Sequence, residues 1–571
     1  DAELIAVLKV AAPGADNKCK AEVKEFVKAK DAAAAKTVTL ELKYARKEAL
    51  DMIKEKLAAQ GDKPVLLFSG KGQNGEDKGF LHLSGKWLEI EPSKEANTWE
   101  VVSTDARSGS QGMGMDATWA GGTDALLALV RLLLQYQDMA VPVDGGTRWD
   151  TNSLIGKIDG KIHRMMAVDL AGKGENVLFV AAEKGDQVYQ YNKQTRKFDE
   201  RAARLKLGSK TQAAAWGDFN GDGRIDLASS DGQSLSIWSQ GGDGTFSPAA
   251  VADKPEGACV SLQVLDVGVK GKAGLLWSSA TSAVLMVPDK EKAGVFARKP
   301  LAADAAAVPA MGPGGKCLVA DFDGDGLPDV VQVGAKAGVL YKGKALGDFE
   351  AGKACAIATG SGATDMCLGD WDANGKIDVF TVSADGCRLW QNEGGGRFVN
   401  MQPISGELAY IPQPNCIAGN TCDINNDGRQ DLFIAYSEKT CPEVYFNRIF
   451  RSFGHAHQPI DINELQVVVE SKNGQQAGVL ADFTDDGGQD MAFALITGEI
   501  HMFVRSTEMG SVLAARVALP VGAGTCGPVT VTAHNGIHAL GAWAVVPGVA
   551  EAFLGKTEPG ELTYTWQLPG E

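Results

Sequence analysis

Oxygen-bearing side chains recur at alternate positions in five nine-residue segments of this chain: 218–226, 321–329, 370–378, 423–431 and 482–490. Each segment has aspartate at positions 1 and 9, an oxygen-bearing side chain at positions 3 and 5, and glycine at position 6. Alternating oxygen ligands on a tight turn converge on one point, which suits a hard cation such as calcium. Glycine supplies the backbone freedom for the turn. We call these segments the acidic loops.

The frame of the acidic loops predicts which atoms would hold an ion. Positions 1, 3, 5 and 9 would offer side-chain oxygens, and position 7 its backbone carbonyl oxygen. The predicted ligands are Asp218, Asn220, Asp222, Arg224, Asp226, Asp321, Asp323, Asp325, Leu327, Asp329, Asp370, Asp372, Asn374, Lys376, Asp378, Asp423, Asn425, Asp427, Arg429, Asp431, Asp482, Thr484, Asp486, Gly488 and Asp490. A solvated acidic turn explains one such loop better than five in one frame. The pattern therefore predicts about five Ca²⁺ ions.

These ions are expected to be structural, because their ligands belong to a repeated scaffold and no histidine joins them. Threonine is a weaker ligand than aspartate or asparagine, so the loop containing Thr484 should hold the weakest site. Degenerate copies at 169–177 and 266–274 carry Lys173 and Lys270 at position 5. Either their ammonium groups replace the cation, or the copies are ordinary surface turns.

The acidic loops are spaced as parts of a repeat. Most intervals between them are about 50 residues, the period of propeller blades. With the degenerate copies and a last unit after residue 529, the spacing predicts eight units between about 160 and 571. Each unit has four strand-like runs, which favours an eight-bladed propeller of four-stranded blades. Seven blades would result if the last unit closes the ring differently.

The repeats resemble FG-GAP or VCBS repeats, the blade type of integrin-α-like propellers and of many exported bacterial proteins. The resemblance rests on the acidic loops and on the glycine-rich turns 241–246 and 394–398, which end in Phe246 and Phe398. It covers roughly 160–571 and implies a calcium-binding β-propeller. It says little about function, because such blades occur in adhesins, receptors, lectin-like proteins and some polysaccharide lyases.

The first 145 residues have a different pattern. Apolar residues at three- and four-residue spacing predict helices over 2–10, 18–29, 46–59 and 123–137. Strand-like runs occupy 37–42, 65–68, 79–83, 87–90 and 99–103. The fold class predicted is therefore mainly β: an α+β domain over 1–145 precedes the propeller over 146–571.

Charge and composition limit the kinds of binding partner and the cellular location that the sequence allows. The net charge of -16 argues against nucleic acid, which requires a basic face. No apolar run is long enough for a transmembrane segment. A start at Asp1 fits a mature exported form or a trimmed piece, and export to the periplasm, cell surface or medium would supply calcium. Ten cysteines then predict disulfides, with buried thiols as the alternative.

The sequence contains few candidates for catalysis. His455 and His457 lie near Arg448 and Arg451, a cluster that fits either an anion site or a hydrogen-bonded loop. We therefore expect a non-enzymatic recognition, adhesion or assembly protein whose partner is a protein, a surface glycan or another copy of the chain. The alternative is a carbohydrate-active enzyme, such as a polysaccharide lyase, or a lectin that uses the propeller face.

Overall fold

The architecture is described from a computed structural model. The described residues are 3–29, 36–42, 63–71, 75–83, 86–103, 149–251, 254–280, 282–301, 314–401, 416–424, 429–437, 447–453, 456–459, 474–505, 515–521, 525–535, 538–549, 551–554, 562–566 and 568, with single positions in 50–57 and 123–134. The chain divides into two compact units, one mainly from Asp1–Ala140 and one from Val141–Gln402 and Pro412–Glu571.

The first unit is a closed barrel of seven strands in the order β1-β2-β3-β7-β6-β5-β4. Its strands are β1 (Leu4–Val10), β2 (Lys18–Ala29), β3 (Thr37–Glu41), β4 (Val65–Lys71), β5 (Asp77–Leu83), β6 (Lys86–Pro92) and β7 (Thr98–Ser103). β1 pairs antiparallel with both β2 and β4, whereas β3 and β7 pair in parallel. Closure leaves no sheet edge unpaired, and side chains such as Leu8, Leu40 and Leu81 fill the interior.

Two predicted helices of this unit are wrong, because 2–10 and 18–29 contribute strands β1 and β2. In β2 the residues Cys19 and Ala21 are buried while Lys20 is exposed, an alternation with the period of a strand. Pairing and burial in the barrel outweigh the helix preference of the intervening lysines and glutamates. The predicted strands 37–42, 65–68, 79–83, 87–90 and 99–103 are confirmed, and their ends lie within three residues of the observed ones. The described positions of 50–57 and 123–134 are helical, as predicted.

The second unit contains seven four-stranded antiparallel sheets among its described residues. Four sheets follow one another early in the unit: β9 (Ile162–Val168), β10 (Val177–Ala182), β11 (Gln187–Asn192) and β12 (Lys197–Glu200); β13 (Ala213–Gly217), β14 (Asp226–Ser230), β15 (Leu235–Gln240) and β16 (Phe246–Ala250); β17 (Ser261–Leu265), β18 (Gly274–Ser278), β19 (Ala283–Pro288) and β20 (Phe296–Pro300); β21 (Gly314–Ala320), β22 (Asp329–Gly334), β23 (Gly338–Tyr341) and β26 (Lys353–Cys355). A hairpin of β24 (Gly343–Ala345) and β25 (Asp348–Phe349) accompanies the fourth sheet, and a short helix, Ala202–Leu205, follows the first.

The remaining three sheets complete the series. They are β27 (Ala363–Gly369), β28 (Asp378–Ser383), β29 (Gly386–Asn392) and β30 (Phe398–Asn400); β31 (Cys416–Cys422), β32 (Asp431–Tyr436), β33 (Asn447–Phe453) and β34 (Ala456–Pro459); β35 (Gln475–Ala481), β36 (Asp490–Leu495), β37 (Glu499–Arg505) and β8 (Trp149–Lys157). The first strands of successive sheets lie side by side, and β35 lies beside β9. This is the ring arrangement of a β-propeller.

Two features close the ring. The last sheet takes its outer strand, β8, from the start of the unit, and β8 pairs with β37 from Trp149 to Lys157. Between the last and first sheets, the Ile162 amide donates to Gln476 Oε1 over 2.9 Å. The core of this junction contains Ile500, Met502 and Val479. The last sheet thus joins β8, from before the first sheet, to β37, from the end of the series, and every sheet becomes part of a single packed ring.

The predicted eighth unit does not form a four-stranded sheet among the described residues. It consists of a strand pair and a three-stranded sheet, made from β38 (Ala515–Ala518), β39 (Val529–Asn535), β40 (His538–Val545), β41 (Glu551–Leu554) and β42 (Leu562–Trp566). We call residues 515–566 the C-terminal segment. Strand-like runs of ordinary length cannot by themselves distinguish a blade from a sheet placed elsewhere.

The C-terminal segment lies on the end of the ring where the acidic loops emerge. The Asp169 amide donates to the Gly548 carbonyl over 2.8 Å, and Gln430 Nε2 donates to the Ala542 carbonyl over 2.9 Å. The Cys526 amide donates to Asp266 Oδ2 over 3.3 Å. These contacts reach three different sheets of the ring, so the segment extends across its centre.

No disulfide joins any two of the nine cysteines that the structure describes, so the predicted disulfides are not present among them. Burial raises the pKa of Cys259 and of Cys317 to about 12, which makes both poor nucleophiles near neutral pH. Within the described ranges, no helix has the length and apolar character needed to cross a membrane.

Ring closure predicts a contrast between two apolar side chains on the paired strands β37 and β8. Ile500 is fully buried and Leu154 is 59% exposed. Ile500→Ala should lower the free energy of unfolding by about 2–5 kcal/mol because it leaves a cavity, whereas Leu154→Ala should change it by about 0.5 kcal/mol or less. Denaturant titration followed by tryptophan fluorescence measures both. Equal effects would contradict the closure described here.

Candidate metal centres and a central cavity

Each acidic loop joins the first and second strands of a sheet. Position 1 directly follows the first strand, and position 9 is the first residue of the second strand, as with Asp321 after β21 and Asp329 opening β22. In the four acidic loops that the structure describes in full, positions 4 and 6 have positive φ, as in Gly324 and Gly326 at 81° and 84°. Two left-handed residues so close together turn the loop sharply, which is why glycine is placed there.

In the blades that have an acidic loop, the aspartate at position 9 is buried, and its carboxylate binds backbone amides of its own blade. Asp329 Oδ2 accepts the amide of Phe322 in its own loop over 2.9 Å, and Asp329 Oδ1 accepts the amide of Gly343, just beyond the third strand, over 2.8 Å. The same pair of bonds is made by Asp226, Asp378 and Asp490. This role was missed in the sequence analysis, which treated position 9 only as a metal ligand.

The aspartate at position 1 holds the loop backbone. Asp321 accepts the amides of Gly324 over 2.7 Å and Gly326 over 2.9 Å. Asp218, Asp370 and Asp482 make corresponding bonds, and so does Asp169 in a degenerate copy. The turn therefore forms with or without the other carboxylates, and the additional acidic residues are not needed to fold it.

Carboxylate oxygens converge most clearly in two loops. In the loop 321–329, oxygens of Asp321, Asp323 and Asp325 lie within 4.8 Å of one another. In the loop 370–378, oxygens of Asp370, Asp372 and Asp378 do so. Each of these loops thus brings together three of its four predicted side-chain ligands, while Leu327 and Lys376 lie at position 7 of the same turns.

Neighbouring cations and polar groups reach several of the loops. In 321–329 the Lys342 ammonium donates to Asp323 Oδ2 over 2.8 Å. In 218–226 the Arg224 guanidinium pairs with Asp222. In 482–490, Thr484 Oγ1 donates to Asp490 over 3.2 Å, and Arg516 of the C-terminal segment lies 3.5 Å from Asp482. Gly488 occupies position 7 and is buried.

In 423–431 the structure describes Asp423, Arg429 and Asp431 but not Asn425 or Asp427, so that predicted site lies partly outside the described residues. In the degenerate copies, Lys173 and Lys270 are exposed, and the structure records no bond between their ammonium groups and Asp169 or Asp266 among its described contacts. The side chains of His455, His457, Arg448 and Arg451 also lie outside the described set.

Burial makes the loop carboxylates costly to ionise. It raises the pKa of Asp226 and of Asp329 to about 7, and repulsion from neighbouring carboxylates adds to the effect. The same causes raise the pKa of the buried Asp378, with Asp372 as the strongest repelling neighbour. An all-oxygen donor set in which neighbouring carboxylates repel one another fits a divalent hard cation.

A central cavity of about 590 Å³ lies between the first strands of all seven sheets. At the acidic-loop end it is lined by the C-terminal segment, including Leu519, Val546 and Gly548. At the opposite end it is lined by residues near the starts of the first strands, of which Gln212 and Thr364 are exposed. The cavity is therefore covered at one end and open to solvent at the other.

Comparison with known protein families identifies the type of repeat in part of the ring. A sequence profile of the FG-GAP-like repeat matches residues 218–268, 321–381 and 370–434. Each matched segment begins at position 1 of an acidic loop, so the profile and the loop frame coincide. No curated protein matches the sequence.

Three solved structures illustrate the similarity of fold. A lectin from Agrocybe aegerita, described as recognising non-reducing terminal N-acetylglucosamine, is 15% identical and aligns over 68% of this chain and 98% of its own, with a TM-score of 0.42. BBS1N, solved in complex with ARL6DN, is 12% identical over 64% and 99%, with a TM-score of 0.41. The Dos1 propeller is 8% identical over 63% and 95%, with a TM-score of 0.34. Similarity at this level carries no information about ligand or activity.

The two roles of the carboxylates can be separated by substitution in the loop 321–329. Asp329→Ala should destabilise the protein by about 2–4 kcal/mol even in a calcium chelator, because two buried amides lose their acceptor. Asp325→Ala should be nearly neutral in the chelator, since Asp325 is exposed. Chemical denaturation with and without chelator measures this. A large loss for Asp325→Ala in the chelator would contradict the division of roles.

Arg516 should compete with a cation at the loop 482–490, because its guanidinium lies within 3.5 Å of Asp482 and Asp485. We predict that Arg516→Met raises the calcium affinity of this loop several-fold. Calorimetric titration of the variant and of a Thr484→Ala, Arg516→Met double variant would assign the change to this loop. Unchanged titrations would show that the ion pair and the ion do not share the carboxylates.

Proposed function

The chain is a β-propeller protein with FG-GAP-like repeats, and we propose that it is a calcium-stabilised, exported recognition or assembly protein without enzymatic activity. The observation that carries the recognition role is the central cavity, which is covered at the acidic-loop end and open at the other. Partners would bind at the open end or on the rim of the ring. They would be a protein, a surface glycan or a second copy of the chain.

The calcium part of the proposal assigns about five structural ions to the acidic loops. Side chains at positions 1, 3, 5 and 9 and the carbonyl at position 7 would hold each ion, with 321–329 and 370–378 the best supported because their carboxylates converge. A bound dication would offset the repulsion between buried carboxylates. It would also strengthen the connection between the first two strands of the blade.

The proposal extends to architecture. Seven blades are favoured over eight, because the first and last four-stranded sheets adjoin and the last sheet takes its outer strand, β8, from the start of the unit. We also propose a domain boundary near residue 145, before β8 begins at Trp149. Export remains a proposal supported by the calcium-loop pattern, since extracellular calcium can fill weak sites.

One observation favours a second candidate, an enzyme acting on acidic polysaccharide. His163, Arg164 and Lys316 all line the central cavity, and a lyase needs a basic group of this kind within a cleft. A glycan array combined with an ultraviolet assay for unsaturated uronate products separates the candidates. Product formation would overturn the non-enzymatic assignment, whereas binding without turnover, or self-association in light scattering, would support recognition or assembly.

Removal of calcium is the direct test of the structural ions. We predict that a calcium chelator lowers the melting temperature by many degrees and that excess Ca²⁺, but not equal Mg²⁺, restores it, because binding to the folded state alone shifts stability. The Asp323→Ala, Asp372→Ala double variant should respond less than the wild type. A melting curve indifferent to chelator would contradict the calcium part of the proposal.

A further inference from the structure

The open end of the central cavity carries a concentration of basic side chains. Arg164 on β9 and Lys316 on β21 line the cavity, together with His163. Lys161 lies close enough to influence both His163 and Lys316 electrostatically. These residues come from two sheets that are not sequence neighbours, so the ring brings them together.

This positive character opposes that of the whole chain, which has a net charge of -16. Among the described residues that line the cavity, only Asp169 and Asp365 are acidic. Asp169 lies at the covered end and is engaged by the amides of its own loop. Asp365 lies at the open end, where its Oδ2 accepts the Gly419 amide over 3.1 Å. Among the described lining residues, one carboxylate therefore accompanies two basic side chains, Arg164 and Lys316, at that end.

Lys316 is the most constrained of the basic groups. Its ammonium donates to the Thr364 carbonyl. Burial lowers the pKa of Lys316, and the charges of Arg164 and Lys161 lower it further, while Asp365 acts in the opposite direction. An anion placed beside this ammonium would relieve both its burial and the repulsion from Arg164.

The cavity also has the size of a ligand site. Its volume of about 590 Å³ falls within the 300–1,000 Å³ range typical of small-molecule pockets. Its walls combine apolar side chains such as Met166 and Ile417 with the amides of Gln263 and Gln476. Such a lining suits a small organic molecule that has an anionic group and several hydroxyl groups.

We propose that the open end of the cavity binds a small oxyanion-bearing molecule, such as an acidic sugar, with Arg164 and Lys316 as the groups that recognise its charge. This inference rests on the proposed recognition role and gives it a ligand class. Carboxylate and phosphate esters share the relevant chemistry, and a guanidinium can bind either through two hydrogen bonds.

The test compares ligands that differ only in charge. D-glucuronate, D-glucose 6-phosphate and neutral D-glucose are titrated into the full chain by calorimetry. We expect one or both anions to bind and glucose not to bind, with affinity falling as sodium chloride is raised. Binding of both anions indicates general oxyanion recognition, and binding of one identifies the preferred group. Equal binding of glucose and glucuronate, or binding of none, would overturn the inference.

Variants locate the site. Lys316→Met and Arg164→Met should each weaken anion binding at least about tenfold, the loss of one charge-assisted interaction. Lys316→Arg should retain most of the affinity, and Lys197→Met, on the outer strand β12 of the first sheet, should leave it unchanged. Unaltered binding by both Met variants would refute the site.

Melting curves of the same samples, with and without calcium, verify folding and keep the two proposals apart. Calcium-dependent melting without anion binding refutes only the ligand inference. Anion binding with calcium-independent melting refutes only the calcium part of the proposed function.

Discussion

The buried aspartate at position 9 is the interaction on which each blade with an acidic loop depends. Its two carboxylate oxygens accept amides from the loop and from the residue at or just beyond the end of the third strand, so one side chain joins three segments. The residue at position 2, whose amide is one of the donors, packs into the next blade: the rings of Phe322 and Phe398 are 5.5 Å apart. The same loop therefore holds the strands of its own blade together and forms part of the contact with the next blade.

The same burial creates an electrostatic constraint. Several carboxylates lie together out of water, and amide donors compensate only part of the charge at positions 1 and 9. In our proposal, a divalent cation would offset this repulsion in loops where positions 3 and 5 complete the donor set. Where a neighbouring arginine reaches the loop, as Arg516 does at Asp482, part of the compensation comes from the protein itself. Loops of one sequence frame can thus differ in their need for an ion.

Much of the propeller could be predicted from the sequence, because the acidic loops mark the same point of each repeat and the strands alternate around them. The barrel could not. In β2 the alternation of Cys19 and Ala21 with lysines was present, but lysine and glutamate also favour helices, and only pairing across the barrel decides between the two. The site is similar. The proposed loop ligands follow from spacing, whereas Arg164 and Lys316 are far apart in sequence and line one cavity only because the ring closes. The position of the C-terminal segment depends on contacts with several sheets, which no local pattern encodes.

The central claim is that the acidic loops are calcium sites built into the blades. Native mass spectrometry of the full chain, purified with calcium and then dialysed against chelator, tests it most directly. The account predicts up to about five added calcium masses that the chelator removes, and one fewer in a variant with Asp323→Ala. A chain that carries no calcium beyond the nonspecific adducts of a control protein, or an Asp323→Ala variant with an unchanged count, would contradict it.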